Sequence, residues 1–435
     1  MRRLVSLALV LAPALAAAQA RVVTLEDALR TAADRQPQLR AAMAQVQVGQ
    51  ARVGEARAGF LPRLDSQFQY QRSGVNFLLS PSFANSAFAR TLKLDNTLDT
   101  VNYYVFGATA TETLYDFGRT GGQLEQARAG ELANRADLES TLLQTALGVR
   151  TAYFAVLAAK ELVWVGEETV KNQGKHVEQV RQFVSAGTRP KIDLRSAELN
   201  LADAELGLVR ARNGLDLAKL GLNLAMGVEG PIDYDVTAPA SEALSEESQP
   251  VEALLTEALR ERPELARLDA QIRAQQAGRR VATSGYFPAL VAVGNISGTK
   301  VADFDWGVNF YVGAGISWNL YGGFLTAHQV EEADAGLAAL SAQRDTLRQS
   351  IRNELEQQLL AVAEAKQRLQ VGERAVATAD ERLKLAEGRY QAGAGDIIEL
   401  DDAQVTQANA QAQKVAATYD LATARARLGR ALGRR

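Results

Sequence analysis

The stretch WGVNFYVGAGISWNL, residues 306–320, decides the fold. Apolar side chains stand at every second position from Trp306 to Leu320, and glycine, asparagine or serine fills most positions between them. Successive side chains of a strand point to opposite faces, so this period of two predicts a β-strand with one apolar face. A soluble sandwich could bury such a face. The small, polar opposite face and the tryptophans near both ends favour a membrane strand, with Trp306 and Trp318 in the interfacial aromatic girdle.

The sequence around this strand occurs twice. Residues 113–227 return without a gap as residues 319–433. Matching pairs are Leu114 and Leu320, Tyr115 and Tyr321, Gly187 and Gly393, and, at a second spacing upstream, Pro37 and Pro263, Pro62 and Pro288. The pattern predicts two tandem structural repeats, residues 21–227 and 251–435.

Each repeat is predicted to contain one β-hairpin and a set of helices. Strands are expected at about residues 63–72, 101–115, 289–298 and 306–321. Valine recurs every seventh residue from Val149 to Val184, and the second copy keeps this register from Leu355 to Tyr390. Such heptads, continued beyond a glycine turn, predict long antiparallel coiled-coil hairpins. Helices are expected at about residues 24–58, 119–185, 191–226, 251–284, 323–392 and 396–432.

The N-terminus has the layout of a secretory signal peptide, which we assign to residues 1–20. Arg2 and Arg3 precede an apolar run, and the small-residue pattern Ala18-Gln19-Ala20 follows it. A membrane-anchoring helix is the less favoured alternative, because the run is shorter than the roughly 20 apolar residues that a bilayer requires. The chain has no cysteine, so packing and assembly must stabilise the exported protein without disulfides.

Residues 228–250 separate the two repeats. They contain three prolines, six acidic residues and no lysine or arginine. Such a composition is typical of a solvated acidic linker. An equatorial segment that surrounds the helices is the alternative.

The composition argues against catalysis and nucleic-acid binding. The formal net charge is −3, and no basic patch could hold a polyanion. We find no nucleophile elbow, Walker loop or zinc-ligand pair, so no enzyme activity, cofactor or metal is expected. The two histidines, His176 and His328, are expected to be solvated surface residues.

The predicted strands of one chain cannot close a barrel. Open strand edges are not tolerated in hydrocarbon, because their N–H and C=O groups would lack partners. Two chains would give about eight strands with a filled interior, whereas three would give about twelve and leave a lumen. The small residues of the non-apolar face favour the lumen and hence a homotrimer; these are Gly313, Gly315, Ser317 and Asn319.

The chain resembles the outer-membrane efflux protein family, the TolC-like channel-tunnels. The resemblance rests on the opening residues 24–28, on the repeated segments Phe60-Leu61-Pro62 and Tyr286-Phe287-Pro288, and on the two tips, residues 184–194 and 390–400. It covers essentially the whole chain after the signal peptide.

The resemblance implies an α+β membrane protein of the outer membrane with a long periplasmic portion. Three chains would form a 12-stranded barrel on an α-helical periplasmic tunnel, in contact with outer-membrane lipid. This tunnel would serve as the passive exit duct of a tripartite efflux or type I secretion system. Its partners would be a periplasmic adaptor (membrane fusion protein) and an inner-membrane transporter.

The resemblance also assigns roles to residues near the tips. Glu399 and Asp402 would line the periplasmic entrance, where we expect a ring of carboxylates that attracts cations. An acidic helix start is an equally good explanation of this cluster. Asp193 and Tyr390 match a bond between the tips.

The tips differ from the family at one position and match it at the two turn glycines. The family's arginine position is Gly395 here, so packing by Ile397 and Ile398 is expected to replace a polar latch. Gly187 and Gly393 would contact the adaptor.

One alternative belongs to a different class. A periplasmic coiled-coil adaptor or scaffold would explain the heptads and the signal peptide. It would not explain the duplicated amphipathic strands. An exported hydrolase is a more distant alternative.

Overall fold

The computed structural model describes residues 21–74, 100–238, 247, 249–301 and 305–434. The predicted signal peptide, residues 1–20, lies outside the described residues. In chain order the elements are β1 (Arg21–Val23), α1 (Leu25–Arg35), α2 (Pro37–Ala58), β2 (Arg63–Gly74), β3 (Thr100–Tyr115), α3 (Arg119–Ser185), α4 (Lys191–Met226), β4 (Tyr234–Val236), α5 (Val251–Glu261), α6 (Pro263–Ser284), β5 (Ala289–Val301), β6 (Gly307–Ser317), α7 (Leu325–Gln391) and α8 (Ile397–Ala431).

The predictions of single helices over residues 24–58 and 251–284 were wrong. Each is two helices, α1 and α2 in the first copy and α5 and α6 in the second. The residues between them are extended: Gln36 has φ −62° and ψ 120°, and Arg262 has φ −71° and ψ 118°. Each precedes a proline, whose ring disfavours the helical conformation of the residue before it. The breaks are equivalent because Pro37 and Pro263 are equivalent positions of the two copies.

The predicted strand over residues 306–321 is also too long. β6 ends at Ser317, which pairs with Ala289, the first residue of β5. Residues 318–321 therefore have no strand opposite them. Trp318 instead donates its indole N–H to the carbonyl oxygen of Tyr286 at 3.1 Å.

Contacts divide the chain into two compact units. One comprises residues 1–42, 139–262 and 348–435, and the other residues 43–138 and 263–347. The second unit holds a four-stranded antiparallel sheet in the order β2-β3-β5-β6. The ladder aligns apolar residues of all four strands on one face, including Leu64, Phe68, Phe106, Ile296, Phe310 and Val312.

In the first unit, the acidic segment forms part of the core. Residues 234–236 make the parallel strand β4 beside β1, so the expectation of a wholly solvated linker was wrong. Val236 is buried together with Val156 and Leu222 of the long helices. The hydroxyl of Tyr153 lies 3.0 Å from the carbonyl oxygen of Val23 and 2.7 Å from that of Thr237, which ties both strands to α3.

Two basic sockets hold this acidic segment, and they are equivalent in the two copies. In the first, the Lys160 ammonium lies 2.7 Å from both carboxylate oxygens of Asp235, and the charge of Lys219 adds to the attraction. In the second, Glu247 pairs with Lys366 and lies 2.7 Å from Arg425. Lys160 corresponds to Lys366, and Lys219 corresponds to Arg425. The segment is therefore fastened to the same point of both repeats.

The second socket is the more buried one. The side chains of Arg425 and Glu247 are 17% and 5% exposed, whereas those of Lys160 and Asp235 are 43% and 47% exposed. Burial opposes the ionisation of both carboxylates, but the hydrogen bonds and charges of the basic partners outweigh it, so the pKa values of Asp235 and Glu247 are lowered.

We expect Arg425→Met to lower the free energy of unfolding by about 2 kcal/mol, because it leaves a buried carboxylate with one partner fewer. Lys160→Met should cost less than about 1 kcal/mol, since its pair is half exposed. Thermal unfolding in detergent, followed by circular dichroism, measures both. Equal losses in the two variants would contradict the difference in burial.

The same pairs predict an acid dependence. A carboxylate whose pKa is lowered in the folded state stabilises that state fully when the pH is above its ordinary pKa, which is 3.8 for Asp235 and 4.5 for Glu247. This contribution is lost as the pH falls from these values through the folded pKa values. The loss should be smaller in an Arg425→Met variant than in the unaltered protein.

Candidate functional site at the helical tips

Each pair of long helices is joined by a tight turn at a glycine. Gly187 has φ +78° after α3, and Gly393 has φ +76° after α7. These angles lie in the left-handed region, which glycine adopts without the clash that a Cβ atom would cause. The amide of Thr188 bonds to the carbonyl of Phe183, and that of Ala394 to Arg389, which closes the last helical turns. Both predicted tip glycines lie in these turns.

Tyr390 stands where the two tips meet. Its side chain is only 1% exposed and packs among Val180, Ala197 and Leu400, which come from α3, α4 and α8. Asp193, in the first turn of α4, is also buried. The structure therefore brings together the two residues that the resemblance assigned to the bond between the tips.

Arg189 supplies the cation of a polar latch. Its guanidinium donates to the backbone carbonyls of Tyr390 and Gly395, both at 3.1 Å. The guanidinium carbon also lies 4.4 Å from the centre of the Tyr390 ring, a cation–π distance. We call Arg189, Asp193 and Tyr390 the tip latch.

The expectation that packing replaces a polar latch was therefore wrong. Ile397 is buried, but Ile398 is 65% exposed. A Cβ atom on Gly395 would lie 3.0 Å from the amide nitrogen of Tyr390, so a side chain there would force the backbone to move. Arg189 and Gly395 are equivalent positions of the two repeats. The arginine is thus present in the other copy and reaches across.

The surroundings of Tyr390 keep its hydroxyl neutral. Burial raises the pKa of Tyr390, the charge of Asp193 raises it further, and the nearby Arg189 lowers it in part. A hydrogen bond between this buried hydroxyl and the Asp193 carboxylate raises the pKa as well. The latch therefore consists of the Arg189 contacts with the Tyr390 ring and the two backbone carbonyls, together with the Asp193 carboxylate beside the tyrosine.

The acidic cluster of the second tip divides into separate roles. Asp396 caps α8, accepting the amide of Ile397 at 2.6 Å, as expected for an acidic helix start. Glu399 forms an ion pair with Arg389 at 3.0 Å. Asp402 is exposed. Its backbone carbonyl accepts a hydrogen bond from the Thr406 hydroxyl, and its carboxylate has no ion-pair partner among the described residues.

Asp401 is the acid of this cluster that lies inward, and sequence reasoning assigned it no role of its own. Burial raises its pKa, and the charges of Asp402, Asp193 and Asp396 add to this effect against a hydrogen bond from Asn200. One sequence signal could have indicated this position: Asp401 directly follows Leu400, a buried residue of α8.

A cavity of about 280 Å³ lies beside the latch. Amide side chains dominate its wall; they belong to Asn172, Gln173, Gln179, Gln391, Gln404 and Gln407. Gln173 donates to Gln404 at 2.9 Å, which joins α3 to α8. His176 also lines the cavity and is 5% exposed, so the expectation of a solvated surface histidine was wrong at this position. His328, in contrast, is exposed, with its side chain 75% accessible.

No group of three or more histidine, cysteine, aspartate or glutamate side chains that could hold a metal ion is found among the residues described.

Comparison with known proteins gives one family. The model of the family described as outer membrane efflux protein matches residues 28–228 and 254–434. A curated relative, the outer membrane efflux protein BepC of Brucella suis biovar 1 (strain 1330), is 29% identical over 160 residues. That alignment covers 36% of this chain and 34% of BepC, so it spans about a third of the relative.

Solved structures share the fold. VceC of Vibrio cholerae superposes with a TM-score of 0.78 at 19% identity, covering 94% of this chain and 96% of VceC. The open-state MtrE channel of Neisseria gonorrhoeae gives a TM-score of 0.75 at 20% identity, covering 94% and 89%. The family match confirms the resemblance read from the sequence and the outer-membrane location. It favours an efflux duct over a periplasmic adaptor.

We expect Arg189→Ala to loosen the contact between the tips, because it removes two hydrogen bonds and the cation–π contact, together worth about 2 kcal/mol. Amide hydrogen exchange of residues 389–398 should then be faster by about tenfold or more, since exchange follows the free energy of local opening. Lys191→Ala, which removes an exposed positive charge from the same tip, is the control and should leave exchange unchanged. Equal exchange in both variants would show that Arg189 does not hold the tips.

Proposed function

This chain belongs to the outer membrane efflux protein family, and from that membership we propose that three copies form the exit duct of a tripartite efflux or type I secretion system. The duct passively conducts substrates from a periplasmic adaptor and an inner-membrane transporter to the exterior. The observation that carries the proposal is the four-stranded sheet, which has one apolar face and two edges without a partner strand in the described residues.

The apolar face has the exposure of a lipid contact. Phe310 is 81% exposed and Val312 is 86% exposed, although neither is polar. Together with the aligned residues of the other strands they form a continuous apolar surface on the sheet. A surface of this kind is stable only against lipid or another apolar partner. Trp306 and Trp318 flank β6 and would lie at the two membrane interfaces.

The edges of the sheet require neighbouring copies. β2 and β6 each have a paired strand on one side only within the described part of the chain. In a bilayer, such edges must be paired because hydrocarbon offers no hydrogen bonds. Pairing β6 of one copy with β2 of the next closes a ring, and three copies give about twelve strands and a water-filled lumen.

The long helices also carry an uncovered apolar surface. Large side chains of α4 remain exposed at Leu199, Leu206, Val209, Leu217, Leu220 and Leu224. At 3.6 residues per turn these positions fall on one side of the helix. A neighbouring copy covers this stripe in the proposed trimer, as the partner helix does in a coiled coil.

The tips are the proposed periplasmic end of the duct. Threefold symmetry would repeat Glu399 and Asp402 around the entrance, and Gly187 and Gly393 would present the turns to the adaptor. Since Glu399 is paired with Arg389, Asp402 carries the greater share of the negative field.

We expect the purified protein to be a trimer in detergent, with three times the mass of the chain after removal of the signal peptide. Leu206→Glu places a charge in each proposed interface and should reduce the trimer fraction at least about tenfold, because an unpaired buried charge is costly. Leu206→Met keeps the site apolar and close in volume and should preserve the trimer. Native mass spectrometry distinguishes the states, and a monomeric or dimeric unaltered protein would contradict the proposed assembly.

We expect Asp402→Asn to lower the cation selectivity of the reconstituted channel more than Glu399→Gln does. The double variant should lose most of the selectivity, because a ring of carboxylates attracts cations electrostatically. Reversal potentials in a salt gradient across a planar bilayer measure this. Asp203→Asn, which neutralises an exposed carboxylate of α4, is the control. Unchanged selectivity in the double variant would remove both residues from the entrance.

A further inference from the structure

We propose that His176 makes the tip latch sensitive to acid: protonation of its imidazole, buried beside Tyr390, favours separation of the tips. The inference rests on the proposed function for its biological meaning, because loosened tips would widen the entrance of the duct. Histidine titration and hydrogen exchange of the tips can both be measured without conduction.

The position of His176 connects it directly to the latch. Its ring centre lies 5.6 Å from that of Tyr390, and the two planes meet at 64°, an edge-to-face contact. Tyr390 also contacts Arg189. The guanidinium lies over the Tyr390 ring and donates a hydrogen bond to the Tyr390 backbone carbonyl. A change in the space or charge that His176 requires is therefore felt first by the latch residue.

One of the two imidazole nitrogens of His176 is buried without a partner among the described residues. The Nε2 atom of His176 has no hydrogen-bond partner among the described residues, and neither does the Oε1 atom of the neighbouring Gln173. A buried polar atom in this condition costs about 1–3 kcal/mol, and an unpaired buried charge costs more. Hydration after separation of the helices would satisfy both atoms. In the latched arrangement, burial of the neutral imidazole is therefore unfavourable, and burial of the protonated imidazole is more unfavourable.

The charges that surround His176 do not offer it an ion pair. On its own helix, Lys175 adds a like charge at the cavity wall, and α7 contributes Glu387 to the same wall. The α8 residues of the wall, Leu400, Gln404 and Gln407, are uncharged. Asp193 of α4 and Asp401 of α8 act on Tyr390, as does Arg189. Burial is what lowers the pKa of His176, with no carboxylate acting against it.

The direction of the effect follows from this lowered pKa. A histidine whose pKa is lower in the latched state than in the open state makes its full contribution to the stability of the latched state when the pH is above 6.5, the ordinary pKa of histidine. The preference is lost as the pH falls from that value through the latched pKa. Asp401 works in the opposite direction, because its raised pKa favours the latched state once it is protonated. Variants must therefore separate the two groups.

The chain has only two histidines, so their titration can be resolved residue by residue. We expect two imidazole signals in the NMR spectrum of the full-length protein labelled at histidine carbon, assigned with His328→Gln. The signal of His176 should titrate below 6.5. A midpoint at or above that value would overturn the proposal, because protonation would then not oppose the latch.

Hydrogen exchange of residues 389–398 tests the mechanical consequence. Between about pH 7.5 and 5.5, opening of the tips, corrected for intrinsic exchange, should increase about fivefold in the unaltered protein and in His328→Gln. His176→Phe keeps an aromatic edge beside Tyr390 and should abolish the increase, and His176→Gln serves if the phenylalanine variant does not fold. Asp401→Asn should enlarge the increase or leave it unchanged.

Two outcomes of the exchange experiment would overturn the proposal. One is an increase that persists in both His176 variants, and the other is its loss in His328→Gln. Recordings in planar bilayers at the same pH values separate this proposal from the proposed function. Absence of any conductance would reject the duct, whereas conductance without a His176-dependent response would reject only the acid sensitivity.

Discussion

An unpaired backbone edge is the constraint on which the rest of this structure depends. The sheet β2-β3-β5-β6 combines an apolar face with two edges that no other strand of the described ranges pairs. In water the face is unfavourable, and in lipid the edges are. In the proposed assembly, neighbouring copies pair the edges and lipid covers the face, and the exposed leucine stripe of α4 is consistent with the same assembly. The duplicated sequence suits the proposed assembly, because each chain would supply two similar hairpins and two similar helical arms.

Sequence periodicity located the strands and long helices to within a few residues, because burial of one face imposes a period of two on strands and of seven on these helices. Periodicity failed where the apolar pattern continues past the end of a helix, and where a strand pairs with one that is distant in the sequence. Apolar spacing runs through Pro37 and Pro263, although both end a helix by steric conflict. β4 is three residues long and depends on a strand more than 200 positions away. No local signal could reveal that pairing.

The tips show the same limit for the candidate site. Aligning the repeats identifies Arg189 with Gly395, but it does not say that the arginine of one copy can serve the tyrosine of the other. That fact depends on the distance between two turns, which only the folded chain fixes. The burial of His176 was hidden for a similar reason, since a polar residue in a polar stretch reads as surface. The two repeats have kept equivalent basic residues around the acidic segment but differ at the tips, where one has Arg189 and the other has Gly395.

The crowding at Gly395 restricts how such a latch can evolve. An arginine at position 395 would push against the backbone of Tyr390, while loss of Arg189 alone would leave the tyrosine without its cation. Moving the positive charge from one copy to the other therefore requires at least two substitutions, and the intermediates are weakened. Lineages should thus retain whichever arrangement they inherited, so the location of this arginine can serve as a marker of ancestry among related ducts.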